Sequence, residues 1–569
     1  MRVLVISLLR LGDVMMTAPA IEAARKKYPK AKIDLLVNKS CKIVGPLFAD
    51  VNSVIEFERD LLQDGLAQAD RPLFEPFDRL KKFIAHLNEN AYDVVINLTQ
   101  NKLSGYLTSA IQAQEKLGLT LNMNGQPSYG SSWFKFLNDI IAAGGETVFH
   151  YADIFANGIA AGTASNAVAP TVNLDQASTR FQLSETAAGR AEAETFFQRV
   201  GYKSGPKIVV QALTSDEKKN WGLKSWVESL TQLMIFEPEA HIILLGAPNE
   251  EESLEQLSAE LAKKNVKADL AIVSLEGALS LLSVSDLLLT GDTSIKHLAC
   301  ASPIPVLEIA LGSSDLRKTG AIKPNSLIVK SAESCAPCRH DEKCFREQRF
   351  CAAKMSPDGI ALAATKFLRK DWAALRTLAE EYSSEIEFYR TERLSIGVWC
   401  ATNLLHYRTE KRLSQQIDLA AWKFFLDREH LKPLAEYGSG SLRIKDQLDV
   451  DWMLTDQRLL KISLEQIENS TIAAEARLNR VLAELSRRVR ATGGFGDIDF
   501  LDSNLKAEIS AIEKTLGLGQ FLSEKMALSP STGLLRARQL QSSLNETFSH
   551  QQIKLKLIRS LRNQIMEYQ

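Results

Sequence analysis

The sequence lacks a long apolar run, an excess of charge of one sign and a dispersed set of cysteines. No stretch approaches the ~18 uncharged apolar residues of a membrane-spanning helix. Its 68 basic and 69 acidic residues leave a formal net charge of -1, so nucleic acid is not expected as a partner. The apolar start is interrupted by Arg10 and Asp13, which indicates a strand and turn and not a secretion signal. We therefore expect a cytoplasmic protein.

Four of the seven cysteines crowd into 17 residues, at Cys335, Cys338, Cys344 and Cys351. This spacing, which begins with a CxxC pair, is typical of tetrahedral metal ligation, and both zinc and iron accept four thiolates. A closed four-thiolate shell leaves no position for substrate, so we predict a structural metal. Two adjacent disulfides are the alternative, which an intracellular compartment disfavours. His340 lies within the loop and is surplus if all four thiols bind.

A chain of 569 residues exceeds the roughly 250–300 residues of a single core. Short apolar runs alternate with helical patterns twice, which predicts two α/β halves with parallel sheets. Residues 162–178 are rich in small and polar side chains and read as a linker. We predict Rossmann-like domains over residues 1–170 and 171–368, with ligands bound in a cleft at the carboxyl ends of the strands.

From residue 369 to 569 helical patterns replace strand patterns, which predicts an all-α extension. One segment has apolar or small residues at alternating spacings of four and three, as in a coiled-coil or bundle seam: Leu460, Leu464, Ile467, Thr471, Ala474, Leu478, Val481 and Leu485. The last helical pattern, over residues 551–568, carries four basic residues. These predict a solvated flank of a packed or self-associating helix, or else peripheral contact with the inner face of a membrane.

Two polar motifs follow predicted strands at the predicted cleft. In residues 10–14, Gly12 permits a tight turn, and Asp13 is either a proton acceptor or the cap of the next helix. In residues 214–221, Ser215 and Lys219 suit a diphosphate site, because a lysine neutralises such a leaving group. The alternative for this second motif is a solvated charged loop with Trp221 on the core.

A third motif, residues 290–297, lies at a strand exit and a helix entry, where free amides favour phosphate. With a phosphate bound there, Asp292 is a candidate to accept hydrogen bonds from sugar hydroxyls. A simple N-cap by Asp292 or Thr293 is the alternative.

Together these segments resemble glycosyltransferase family 9, the ADP-heptose:lipopolysaccharide heptosyltransferases. The similar stretches are RLGDVMMTAPAIEAARKKYPKAKIDLLV, TSDEKKNWGLKSWVESL, LLSVSDLLLTGDTSIKHLACASPIPV and CAPC. The resemblance covers about residues 1–365, with the motifs in the family's order.

The resemblance implies a GT-B fold and inverting transfer, without a catalytic metal, from a nucleotide-sugar donor such as ADP-heptose. The implied acceptor is a lipopolysaccharide core-type glycolipid, another glycan or a protein. Asp13 would be the general base, with an ordinary pKa, and Lys219 and Ser215 would stabilise the diphosphate. Asp292 would hold the sugar. The remaining donor-binding residues would surround the phosphates: Thr293, Ser294, Ile295 and His297.

The sequence departs from the family at the predicted nucleotide pocket. Ser294 replaces a usual glycine, Lys296 a usual apolar residue, and residues 310–314 a Phe-Gly-Pro-Thr segment. The alternative function is therefore a catalytically inactive GT-B scaffold that acts through its helical extension. A dinucleotide-dependent enzyme is disfavoured because no GxGxxG follows the first strand.

Overall fold

The structure is a computed structural model, and it describes most of the chain. The described residues are 1–59, 74–142, 147–161, 182–339, 342–346, 348–394, 396–406, 410–427, 457–491, 507–509, 511 and 533–566. The predicted linker at residues 162–178, the boundary at residue 170 and His340 lie outside them.

The first sheet is parallel, with the strand order β3-β2-β1-β4-β5. Its strands are β1 (Arg2–Ser7), β2 (Lys32–Asn38), β3 (Ser53–Phe57), β4 (Val94–Asn97) and β5 (Glu115–Gly118), followed by a small ribbon of β6 (Thr120–Leu121) and β7 (Pro127–Ser128). Its helices are α1 (Leu11–Met15), α2 (Ala18–Lys27), α3 (Phe74–Glu89), α4 (Lys102–Ala110), α5 (Ser132–Ala142) and α6 (Tyr151–Ala161). In β1, Val3 and Val5 enter one core, whereas Leu4 and Ile6 enter another. Both faces are therefore covered, as a parallel sheet requires.

The second sheet repeats this plan, with β10-β9-β8-β11-β12-β13 all parallel. These strands are β8 (Lys207–Gln211), β9 (His241–Gly246), β10 (Ala268–Ile272), β11 (Leu287–Gly291), β12 (Val306–Ala310) and β13 (Leu327–Ser331). The helices are α7 (Ala187–Val200), α8 (Leu223–Phe236), α9 (Glu251–Ala262), α10 (Leu275–Ser283), α11 (Ser294–Ala299), α12 (Leu316–Thr319), α13 (Phe350–Ala353), α14 (Pro357–Leu368) and α15 (Trp372–Glu381). The prediction of two parallel α/β halves is confirmed.

Two antiparallel strands, β14 (Ile386–Arg393) and β15 (Trp399–Asn403), continue the second sheet beyond β13. The prediction of a purely helical chain from residue 369 is therefore wrong in this segment. Residues of β14 alternate between buried Ile386 and Phe388 and half-buried polar neighbours, the pattern of a strand with one face on the core.

Three long helices follow among the described residues of the extension: α16 (Glu410–Asp427), α17 (Gln457–Ala491) and α18 (Gly533–Met566). The seam of α17 faces inward, with buried side chains at Leu464, Ile467, Thr471, Ala474, Leu478, Val481 and Leu485. The side chain of Leu460 is outside the described set, and coiled-coil geometry remains a prediction. In the part of the chain that the structure describes, no helix is both long and apolar enough to cross a membrane.

The basic residues of α18 make contacts within the extension. Lys554 Nζ lies 2.6 Å from Asp418 of α16. Arg559 and Arg562 lie 2.9 and 2.7 Å from Glu468 of α17, and Lys556 is exposed. Three of the four cations are thus paired with carboxylates of neighbouring helices, which favours the packed-helix interpretation.

Candidate active site

A cavity of about 720 Å³ lies between the two sheets, at the carboxyl ends of their strands. It is lined from both halves by every cleft residue that the sequence predicts: Asp13, Ser215, Lys219, Asp292, Thr293, Ser294, Ile295 and His297. Parallel strands deliver their loops to one edge, so residues nearly 280 positions apart in the chain meet in one space.

Asp13 enters the cavity from α1. The N-cap position of this helix is held by Arg10 and not by Asp13. Burial raises the pKa of Asp13, the nearby Asp292 carboxylate adds to the effect, and Lys219 opposes it. The expectation of an ordinary pKa is therefore wrong, and the carboxylate is a stronger proton acceptor than a solvated aspartate.

Lys219 and Asp292 meet in the lining of the cavity, with Lys219 Nζ 2.6 Å from Asp292 Oδ2. The loop that carries Lys219 is fixed, because Asp216 accepts a hydrogen bond from the Lys218 amide and caps a short 3-10 turn. Trp221 packs on the core, as the alternative interpretation predicted, but the Lys219 side chain is only 18% exposed and is paired with Asp292.

A second lysine, Lys296, holds the other oxygen of Asp292. Lys296 is fully buried, and its ammonium contacts Asp292 Oδ1 and, at 2.9 Å, Glu308 Oε1. Burial alone would raise the pKa of Asp292, but Lys296 and Lys219 together hold it well below the ordinary value. Sequence reasoning missed Glu308, although a glutamate inside the apolar strand β12 is a signal of a buried partner.

Thr293 is the N-cap residue of α11, as one of the two alternatives predicted, but its side chain makes no cap hydrogen bond. Asp292 is not the cap. His297 is buried, and burial lowers its pKa so that the ring is neutral. Its Nδ1 has no hydrogen-bond partner among the described residues.

Another buried histidine, His150, precedes α6 and was not predicted. Burial lowers its pKa to about 3, and nearby Lys296 adds to this. Its Nε2 lies 3.1 Å from the carbonyl of Gly320, and its Nδ1 accepts a hydrogen bond from the Ala152 amide. This pattern fixes a neutral ring that joins the first half of the chain to the second.

The cavity also extends along a wall that sequence reasoning missed. This wall follows the ends of β9 and β10 and includes Gly246, Asn249, Glu250, Ser274 and Glu276. These residues belong to no sequence motif. They are identified as part of the cavity only because the strands that precede them converge there.

The predicted metal ligands lie beside the Lys219 loop, outside the cavity lining. None of the four thiols is in a disulfide; Cys351 is buried and Cys344 is exposed. Within the described residues, no three His, Cys, Asp or Glu side chains are placed to share a metal ion. A metal at the four cysteines therefore remains a prediction.

The segment around these cysteines contacts the Lys219 loop directly. Lys218 Nζ donates to the carbonyls of Arg339 and Glu342, at 3.0 and 2.7 Å. Arg349 donates to the carbonyls of Glu217 and Asn220, at 2.6 and 2.7 Å. These bonds bracket Lys219, so the cysteine segment braces the loop that presents it.

Comparison with known proteins agrees with this architecture. Residues 80–348 match the model of glycosyltransferase family 9 (heptosyltransferase). The chain is 25% identical to lipopolysaccharide heptosyltransferase 1 of Pseudomonas aeruginosa, over 63% of this chain and 96% of that protein. It is 24% identical to the Escherichia coli K12 protein of the same name, over 58% of this chain and 94% of that protein. A family 9 glycosyl transferase structure from Veillonella parvula covers 65% of this chain and 98% of its own, with 16% identity and a TM-score of 0.50.

Proposed function

The chain is a glycosyltransferase of family 9, and from this premise we propose that it transfers a heptosyl group from ADP-heptose with inversion at the anomeric carbon. The observation that carries the proposal is the cavity between the two sheets, where motif residues from both halves converge. The relatives are named lipopolysaccharide heptosyltransferases, which supports a lipopolysaccharide-type acceptor, and another glycan or a protein is retained as an alternative. The inactive-scaffold alternative has no support among the relatives.

In the proposed reaction Asp13 accepts the proton of the acceptor hydroxyl. The hydroxyl oxygen then forms a bond to the anomeric carbon as the bond from that carbon to the diphosphate breaks and ADP departs. The raised pKa of Asp13 favours this role, because a base is most effective when its pKa is near the working pH.

Lys219, Ser215 and His297 line the cavity together with Thr293, Ser294 and Ile295, and in the proposed reaction these side chains and the amides of residues 293–295 contact the diphosphate. Charge that develops on the diphosphate is then stabilised by groups already in place. Asp292 would accept hydrogen bonds from the sugar hydroxyls, and the wall that includes Glu250 and Glu276 would take the nucleoside.

A thermal-shift panel of nucleotide sugars and free nucleotides tests the donor site without an acceptor. ADP-heptose at ~100 times its dissociation constant should stabilise the wild type by about 2.7 kcal/mol, and Asp292→Ala should lose most of this effect. Stabilisation by another nucleotide sugar alone would correct the donor, and stabilisation by none would overturn the proposal.

We also propose that Cys335, Cys338, Cys344 and Cys351 hold one structural zinc or iron ion, on the strength of their spacing. Elemental analysis of the purified chain should find about one equivalent of metal, and Cys335→Ser/Cys338→Ser should remove it. Fully stable, metal-free protein with four titratable thiols at these positions would contradict the proposal.

A further inference from the structure

A chain of four alternating charges runs from the cavity into the interior of the second half. Lys219 contacts Asp292 at 2.6 Å, Asp292 contacts Lys296, and Lys296 contacts Glu308 at 2.9 Å. Glu308 is itself held by the Ala321 amide at 2.9 Å. Lys296 and Glu308 are almost completely buried, at 0% and 1% exposure. Because desolvating an ammonium group is costly, the site is stable only while both carboxylates remain in place.

We propose that Lys296 is a positioning residue, which holds Asp292 Oδ1 from inside the fold so that Oδ2 is presented, with Lys219, to the donor sugar. The inference rests on the proposed function, in which Asp292 binds that sugar. Without Lys296, the Asp292 side chain could rotate about its own bonds and follow Lys219 alone. Glu308 Oε2 accepts a hydrogen bond from the Ala321 amide, which fixes the carboxylate. Its other oxygen, Oε1, therefore holds the Lys296 ammonium in place.

Lys296 also neutralises Glu308, so its support of the fold has to be tested separately from its orientation of Asp292. Removing Lys296 alone leaves two carboxylates against one lysine, which would weaken the fold and obscure any effect on binding. Lys296→Met/Glu308→Gln avoids this: one carboxylate and one lysine remain, and the glutamine oxygen still accepts the Ala321 amide. The double variant therefore separates support of the fold from orientation of Asp292.

The experiment measures the dissociation constants of ADP and ADP-heptose for the full chain by calorimetry. The double variant should bind ADP within about threefold of wild type but bind ADP-heptose roughly tenfold or more weakly, the loss expected when a charged hydrogen bond is misplaced. The matched control is Lys330→Met/Glu387→Gln, which removes a 2.8 Å pair between β13 and β14 away from the cavity lining. It should change neither constant.

Equal losses for both ligands, or no loss for either, would overturn the positioning role. If the methionine variant does not fold, Lys296→Gln/Glu308→Gln replaces it, because its amide retains a donor and should recover part of the ADP-heptose affinity. Wild type that binds ADP but shows no binding of ADP-heptose would overturn the proposed donor and this inference with it. If wild type prefers ADP-heptose over ADP and the double variant keeps the same preference, this inference alone is overturned.

Discussion

Asp13 illustrates how a single carboxylate can be useful to the reaction and unfavourable for the fold. Burial and the neighbouring Asp292 raise its pKa above that of the unfolded chain. The folded state therefore binds its proton more tightly, and the contribution of Asp13 to stability falls as the pH rises through the folded pKa.

Asp13→Asn should lower turnover by about 10²–10⁴-fold, because the acceptor hydroxyl loses its base. The same variant should melt at an equal or higher temperature than wild type at pH 7.5, since a desolvated charge is removed. Initial rates and thermal unfolding, measured on the same preparations, check both expectations. Normal turnover would remove Asp13 from the reaction.

The individual site residues differ in how far the sequence predicts them. Asp13, Lys219 and Asp292 follow strands, so the parallel topology alone predicts that they share a cleft. Glu308 and His150 carry no motif, and their role depends on which buried neighbours they meet. A charged residue inside an apolar strand predicts a partner but does not identify it.

At the scale of elements, α18 is held to its neighbours by charge as well as by apolar contact. Replacing Lys554, Lys556, Arg559 and Arg562 with glutamine should lower the melting temperature, because the pairs with Asp418 and Glu468 are lost. Co-sedimentation with anionic vesicles should remain unchanged.

Lys556→Gln is the matched control, since this lysine is exposed on the same helix, and its effect should stay within about 0.5 kcal/mol. A loss of vesicle binding at unchanged stability would instead support the membrane-contact interpretation.

The strands β14 and β15 show why element prediction fails at this point. β14 carries four charged residues in eight positions, Glu387, Arg390, Glu392 and Arg393, so its apolar content is too low for a buried strand. It forms because β13 offers an open edge and only one face needs to be apolar.

At the scale of the whole molecule, the extension is attached to both halves of the cleft. Its strands join the second sheet, while Trp399 donates its amide to Asp153 of α6 at 2.8 Å. Asp427 of α16 accepts a hydrogen bond from Trp133 of α5, also at 2.8 Å. The extension therefore connects the two halves by a route independent of residues 162–181.

One of these contacts is sensitive to pH. Burial raises the pKa of Asp153 to about 7, against the opposing effects of the Trp399 amide, Arg393 and Lys423. Stabilisation by the protonated form is complete below about pH 4, the unfolded value, and is lost as the pH rises through about 7.

Asp153→Asn retains the acceptor for Trp399 without the charge. Relative to this variant, wild type should lose roughly 1 kcal/mol or more of unfolding free energy between pH 6 and pH 8. Denaturant unfolding of both proteins at the two pH values measures the difference. Parallel pH dependences would show that Asp153 does not titrate in this range.

The antiparallel pairing of β14 with β13 determines where this chain can be shortened. A protein that stops at residue 368, close to the end of the family-like region, would expose the amides and carbonyls that β13 now shares with β14. A bare strand edge is a template for a second copy, and Asp153 would be left without its Trp399 donor. Such a fragment should form aggregates instead of a monodisperse minimal enzyme, whereas one that ends after β15, at residue 406, should keep this edge covered.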